Sequence, residues 1–210
     1  MLYNIITMCT LFYITVGTLS ALVMLHYGLK YLQVCCEVFQ FTMLEAKQTR
    51  NRAIRQLFLV TAHKQHVYLT RIWVKLVQLY KWPMLVQFTS GGLLVALILI
   101  THLIKFDFLS LGQLLAYVCG TLMMGRIGEE IIALSEKLRN TTFYSCPWDG
   151  DVKSAKFLMF MHLNSFNGFV LPLGNYGAYS NALVFYMFKF AYSVVMLYIN
   201  RVHIHHKQTI

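Results

Sequence analysis

Acidic side chains are scarce in this sequence. Eight Asp and Glu stand against eighteen Lys and Arg, for a formal charge of +10 at pH 7. Charged residues of both signs make up only 12% of the chain and apolar residues 58%, whereas a soluble domain is nearer a quarter charged. That balance argues against an ordinary soluble enzyme. Three prolines and twelve glycines in 210 residues are too few for a linker-rich or disordered chain. The cysteines Cys9, Cys35, Cys36, Cys119 and Cys146 are odd in number and show no C-x-x-C spacing. Neither a disulfide framework nor a structural zinc site is expected, and the thiols are read as small hydrophobes filling packed space.

The usual signatures of chemistry are missing as well. There is no P-loop, dinucleotide fingerprint, H-E-x-x-H or G-x-S-x-G elbow. The pair Glu129-Glu130 is adjacent, and neighbouring positions on a helix point in different directions, so it does not make a two-carboxylate site. No catalytic residue, cofactor, metal or nucleic-acid partner is expected. His203, His205 and His206 have the chemistry of metal ligands but read by default as a solvated tail. His63 and His66 flank Lys64 and are expected at the surface.

What is present is a set of long apolar runs. A helix needs about 20 such residues to cross the hydrocarbon core. Ile5 to Tyr27 and Met84 to Ile104 carry no formal charge. Phe108 to Met124 is uncharged but only about 17 residues, the lower limit for a span. Tyr176 to Asn200 carries one charge, Lys189. The first run lacks a basic flank and is too long for a signal peptide's core. It is expected to continue as a helix beyond the bilayer along Leu32, Val34, Cys35, Val38, Phe41 and Leu44.

Basic residues set the orientation. Lys47, Arg50, Arg52, Arg55, Lys64, Arg71, Lys75 and Lys81 fall between the first and second runs. Arg126, Lys137, Arg139, Lys153 and Lys156 fall between the third and the last. The positive-inside rule places both connections in the cytosol and the C-terminus outside. The basic tail from Arg201 to Lys207 dissents. Asn140-Thr141-Thr142 fits the glycosylation pattern and, lying on the cytosolic side, is expected to stay unused. Leu57, Leu59 or Val60, Val67, Ile72, Trp73, Val77 and Leu79 recur roughly at helical spacing, as do the apolar residues of Glu129–Leu138, so both connections are expected to be helical and packed. Ala155 to Phe166 is helical in pattern but too short to span. Asn167-Gly168 and Pro172 to Gly177 then break the helix before a last full span. Lys189 lies inside that span, where a charge faces water or a partner. Asn181, Tyr186, Tyr192 and Ser193 share the helix.

Particular residues of the C-terminal half resemble the insect odorant receptor family. Tyr144-x-x-x-Trp148 matches the aromatic pair before the family's last helices, and the apolar run Phe157 to Leu163 follows at the right distance. Gly174 leads to Tyr176 and Ser180, and then Lys189-Phe-Ala-Tyr192-Ser193 follows without a gap. Val86-Gln87-Phe88 resembles the start of the family's fifth helix, and the basic segment with His63 resembles the connection before it. The resemblance runs from about Leu57 onward and more weakly through the first helix. It departs at Ala178, where the family often has proline, and at Val194 and Val195, where aromatics are usual. The closing signature of the related gustatory receptors is absent.

The resemblance implies an all-α membrane protein. Four transmembrane helices with long cytosolic extensions would correspond to the last four of a seven-helix bundle, as in a C-terminal fragment or truncated gene model. The segments are then 1–44, first membrane helix and extension; 45–83, basic connection; 84–124, membrane hairpin; 125–170, anchor region; 171–200, pore-type helix; and 201–210, extracellular tail. The implied function is that of a plasma-membrane odorant receptor subunit. It would bind a small volatile apolar molecule and gate cations in a tetramer with a co-receptor. Tyr144 and Trp148 would belong to the anchor, and Lys189, Ser193, Met196 and Leu197 to the pore and gate. By depth and analogy, Thr7, Leu11 and Ile14 with Leu114, Leu115 and Val118 are candidates for the ligand pocket. A gustatory receptor and a transporter fragment with Lys189 in its substrate path are the alternatives. A structural membrane adaptor is a third.

Overall fold

The computed structural model describes residues 2–104, 108–144, 152–165, 168–174 and 177–208, apart from the side chains of 2–15, 18, 109–110, 153 and 202–208. Among these residues there are five helices: α1 (Leu2–Gln48), α2 (Arg52–Ile104), α3 (Phe108–Tyr144), α4 (Val152–Ser165) and α5 (Asn181–Gln208). The all-helical expectation holds. The only bridge among the described residues is isolated, between Pro172 and Ala178.

Three of these helices are long and apolar enough to cross a membrane: α1 over Leu19–Gln48, α2, and α5 over Asn181–Arg201. This is consistent with a membrane protein. The expected fourth span, Phe108–Met124, lies in α3 and includes Leu109 and Ser110, whose side chains are outside the described residues. α2 runs through Pro83 without a break, 53 residues in all.

Local chemistry explains where helices do stop. Asn51 caps α2, its Oδ1 accepting the Ala53 N–H at 3.0 Å and its carbonyl the Arg55 N–H at 2.9 Å. After α4, Gly168 adopts φ +55°, a left-handed value that β-carbon sterics deny most residues. The next amide, Phe169 N–H, then donates to Ser135 Oγ at 2.7 Å. Further on, Gly177 (φ +98°) lets the Leu173 N–H reach the Gly177 carbonyl at 2.8 Å. Ser180 caps α5 through the Leu183 N–H. The last helix therefore starts at Asn181 rather than at Tyr176.

The chain forms two compact units. Unit 1 comprises Met1–Met24, Lys81–Ile127 and Pro172–Ile210; unit 2 comprises Leu25–Tyr80 and Gly128–Leu171. In unit 2, α1 buries Leu25, Leu29, Leu32, Cys36, Phe39 and Met43, and α2 buries Leu59, Ala62, His66, Leu69 and Trp73. Both series alternate steps of three and four, which keeps one face toward a neighbour. In water, each fully buried Leu or Met contributes about 1.5–3 kcal/mol.

The buried face of α1 differs from the expected one. Val34, Val38, Phe41 and Leu44 are exposed, Phe41 by 64%, and Cys35 is half-buried. The helix carries apolar residues on two faces, and burial selects the one with the unbroken three–four series. On α2, Leu57 and Leu79 are likewise exposed and Val60 largely so, while Ala62 and His66 take core positions. Of the described thiols Cys36 is buried, but Cys119 is exposed rather than packed.

His66 also departs from its expected place. It is 3% exposed, against the surface position expected. Its Nε2 lies 2.7 Å from Ser165 Oγ, and that hydroxyl donates its single proton to the Met161 carbonyl at 2.8 Å. With that proton so committed, Nε2–H is the donor to Ser165, an arrangement open to the neutral Nε2–H tautomer and to the imidazolium alike. Burial, and secondarily the nearby His63, hold the His66 pKa below its ordinary value. The unfolded state therefore binds the proton more readily than the folded one. The contribution is intact above about pH 6.5 and is lost as pH falls toward the lowered pKa. Thermal unfolding of the detergent-solubilised chain should thus occur at lower temperature at pH 5.5 than at pH 7.5. His66→Gln should flatten that dependence; an unchanged slope in the variant would assign the acid sensitivity elsewhere.

Candidate ligand cavity and the uncovered face of the last helix

Unit 1 is assembled around small residues. Val95 and Ala96 of α2 and Ala191 and Val195 of α5 form a buried cluster, with Leu114, Tyr117, Phe188 and Val194 packed against it. A β-carbon on Gly91 would fall onto the Tyr117 hydroxyl, and one on Gly92 would come within 3.1 Å of the Phe190 ring and 3.3 Å of Met187 Cγ. One on Gly125 would meet Asn181 Oδ1 at 2.7 Å. Close approach through Gly and Ala is how helices associate in lipid, where apolar burial supplies no drive of its own.

Beside this cluster lies a cavity of about 500 Å³, bounded by Phe88, Thr89 and Gly92 of α2 and Leu183, Tyr186, Met187 and Phe190 of α5. Its volume is within the usual range for small-molecule sites. Gly92 contributes no side chain to the wall, and Thr89 turns its hydroxyl back to the Leu85 and Val86 carbonyls. Phe88 meets Tyr179 edge-on with centroids 6.4 Å apart. The lining is aromatic and aliphatic, with one phenol, Tyr186. Such a wall recognises shape and apolar surface and has little to offer a charged solute.

α5 borders the cavity and also presents an uncovered stripe. Leu183, Val184, Met187, Ala191 and Val195 are buried, while Phe185, Lys189, Tyr192, Ser193, Met196 and Leu197 are exposed. Lys189 has no ion-pair partner among the described residues; its carbonyl accepts the Ser193 hydroxyl at 2.9 Å. Met196 is 38% and Leu197 68% exposed. The four residues expected in a pore therefore share one face of one helix.

The expected pocket residues are placed differently. The side chains of Thr7, Leu11 and Ile14 lie outside the described residues. Leu114 packs on the buried cluster, Leu115 is exposed and Val118 is half-buried. None of these three lines the cavity. The residues that do were overlooked, although Gly91-Gly92 within an apolar run was a visible signal of close backbone approach. In the anchor region, Tyr144 is 71% exposed at the end of α3, its ring edge-on to Phe143 and its carbonyl accepting from Lys47 Nζ at 3.3 Å. Trp148 lies outside the described residues.

A scan against protein-family models finds no match to this chain, and no curated protein matches it in sequence.

Proposed function

We propose that this chain belongs to a ligand-gated cation channel subunit of the odorant-receptor type, in which a small apolar molecule biases the position of a pore-lining last helix. The observation that carries the reading is that α5 serves two surfaces. Leu183, Tyr186, Met187 and Phe190 border the cavity, and Lys189, Ser193, Met196 and Leu197 lie on the uncovered stripe. A ligand that binds more tightly when α5 holds one position shifts the population toward it, by no more than its differential affinity. Four transmembrane segments, α3 supplying the short one, would stand in the plasma membrane with the C-terminus outside and the basic connections in the cytosol. An apolar ring at Leu197, with Met196 beside it, closes such a path by dewetting. Arg201 just beyond is unfavourable to cations, so a co-receptor subunit in the same tetramer supplies most of the conducting pore. Unit 2, with its buried series on α1 and α2, serves as the anchor through which subunits meet.

The test is electrical. The chain is expressed with an odorant co-receptor subunit and challenged with a panel of volatile apolar compounds. A ligand-evoked cation current absent from the co-receptor alone is the expected result. Good surface expression with no response across the panel would count decisively against the proposal. In the same cells, Leu197→Ala should raise the ligand-free current or alter ion selectivity. If both stay at the parent's values, Leu197 is not part of a gate.

A further inference from the structure

Unit 2 holds a second cavity of different chemistry, about 690 Å³, where α2, α3, the end of α4 and the Gly168-Phe169 turn meet. Its deep groups are already committed: His66 donates to Ser165, Ser135 accepts from Phe169, and Thr70 donates to the His66 carbonyl at 3.0 Å. Its outer groups are not. Arg71, Lys75, Gln78 and Asn164 line it, are exposed, and make no hydrogen bond or ion pair among the described residues. Arg71 and Lys75 are four apart on one helix and so project side by side. No Asp or Glu is among the lining residues. Trp73 and Phe169, with ring centroids 5.3 Å apart, form an apolar wall.

We propose that this cavity binds a polyphosphorylated ring such as the headgroup of a phosphoinositide, with Arg71 and Lys75 on the phosphates, Gln78 and Asn164 on ring hydroxyls, and the Trp73–Phe169 wall against the ring. Two adjacent cations without a local acid select an anion bearing more than one charge. A guanidinium fork pairs with phosphate through two bonds, while the ammonium acts as a point charge. The volume exceeds what one inorganic phosphate needs. The same chemistry is available from a lipid or from a soluble inositol phosphate. The sequence favours the lipid, because Arg71 and Lys75 precede the uncharged Met84–Ile104 run by only thirteen and nine positions, where basic side chains meet anionic headgroups.

The experiment uses the purified full chain in detergent and measures binding of three probes. These are dioctanoyl phosphatidylinositol bisphosphate, dioctanoyl phosphatidylserine and soluble inositol trisphosphate. The bisphosphate lipid should bind well above phosphatidylserine. R71Q/K75Q should weaken it by about tenfold or more. N164L should weaken it without any change of charge, and K64Q/K156Q, which removes two exposed bases outside the cavity, should leave it intact. Inositol trisphosphate binding as tightly as the lipid, with the same dependence on Arg71 and Lys75, would support the site and identify its source as soluble. Equal losses in R71Q/K75Q and K64Q/K156Q would reduce the binding to general surface charge and overturn the proposal. So would no binding of either phosphorylated probe.

Discussion

Gly91→Val should be among the most damaging single substitutions in this chain. Any β-carbon at position 91 coincides with the Tyr117 hydroxyl and lies 2.9 Å from Tyr117 Cζ. The ring must swing away, breaking its 3.2 Å hydrogen bond to the Gln87 carbonyl and its packing on the Val95–Ala191 cluster. Overpacking costs about 1–3 kcal/mol and the lost bond about 1 kcal/mol more. Valine, branched at Cβ, adds two further atoms in the same confined place. Gly91→Ala should be milder, and Tyr117→Phe should restore part of its loss by removing the hydroxyl that the new methyl strikes. Thermal unfolding of the four proteins in detergent forms a double-mutant cycle. Additive effects of the two changes would show that Gly91 is not making room for Tyr117.

The second large effect concerns ligand response. Thr89→Trp places an indole in the cavity shared by α2 and α5, and the half-maximal ligand concentration should rise at least tenfold. That expectation is conservative, since a single methylene in an apolar pocket is worth about 10–200-fold. Thr89→Val is the control: it keeps the shape and removes only a hydroxyl that bonds to its own helix, so the response should be unchanged. Surface labelling separates loss of binding from loss of protein. A Thr89→Trp channel with the parent's sensitivity would show that the ligand acts elsewhere, without bearing on whether the chain conducts.

Much of the local structure could be read from the residues. The helical connections, the short α4 and the turns at Gly168 and Gly177 follow from apolar spacing and from Gly and Pro placement, which act within a few residues. Positions that depend on partners were misread. α1 offers two apolar faces, and periodicity alone does not choose between them; the partner helices bury Cys36 and Phe39 and leave Val38 and Phe41 in the open. His66 looks like a surface residue because its neighbours Lys64 and Gln65 are polar, yet Ser165, nearly a hundred residues away, supplies the acceptor that makes its burial tolerable.

By itself the sequence determined that the chain is helical, that its apolar runs suit a bilayer, and that its positive charge gathers in two connections. Composition and short-range spacing suffice for those properties. Only the tertiary structure decided where space remains. The α2–α5 cavity lies where Phe88, Thr89 and Gly92 of one helix face Leu183, Met187 and Phe190 of the other. The cationic cavity exists because the Gly168 turn sets Phe169 against Ser135 and Trp73. A cavity is bounded by residues far apart in the chain, so its volume depends on how helices approach one another, which no local pattern encodes.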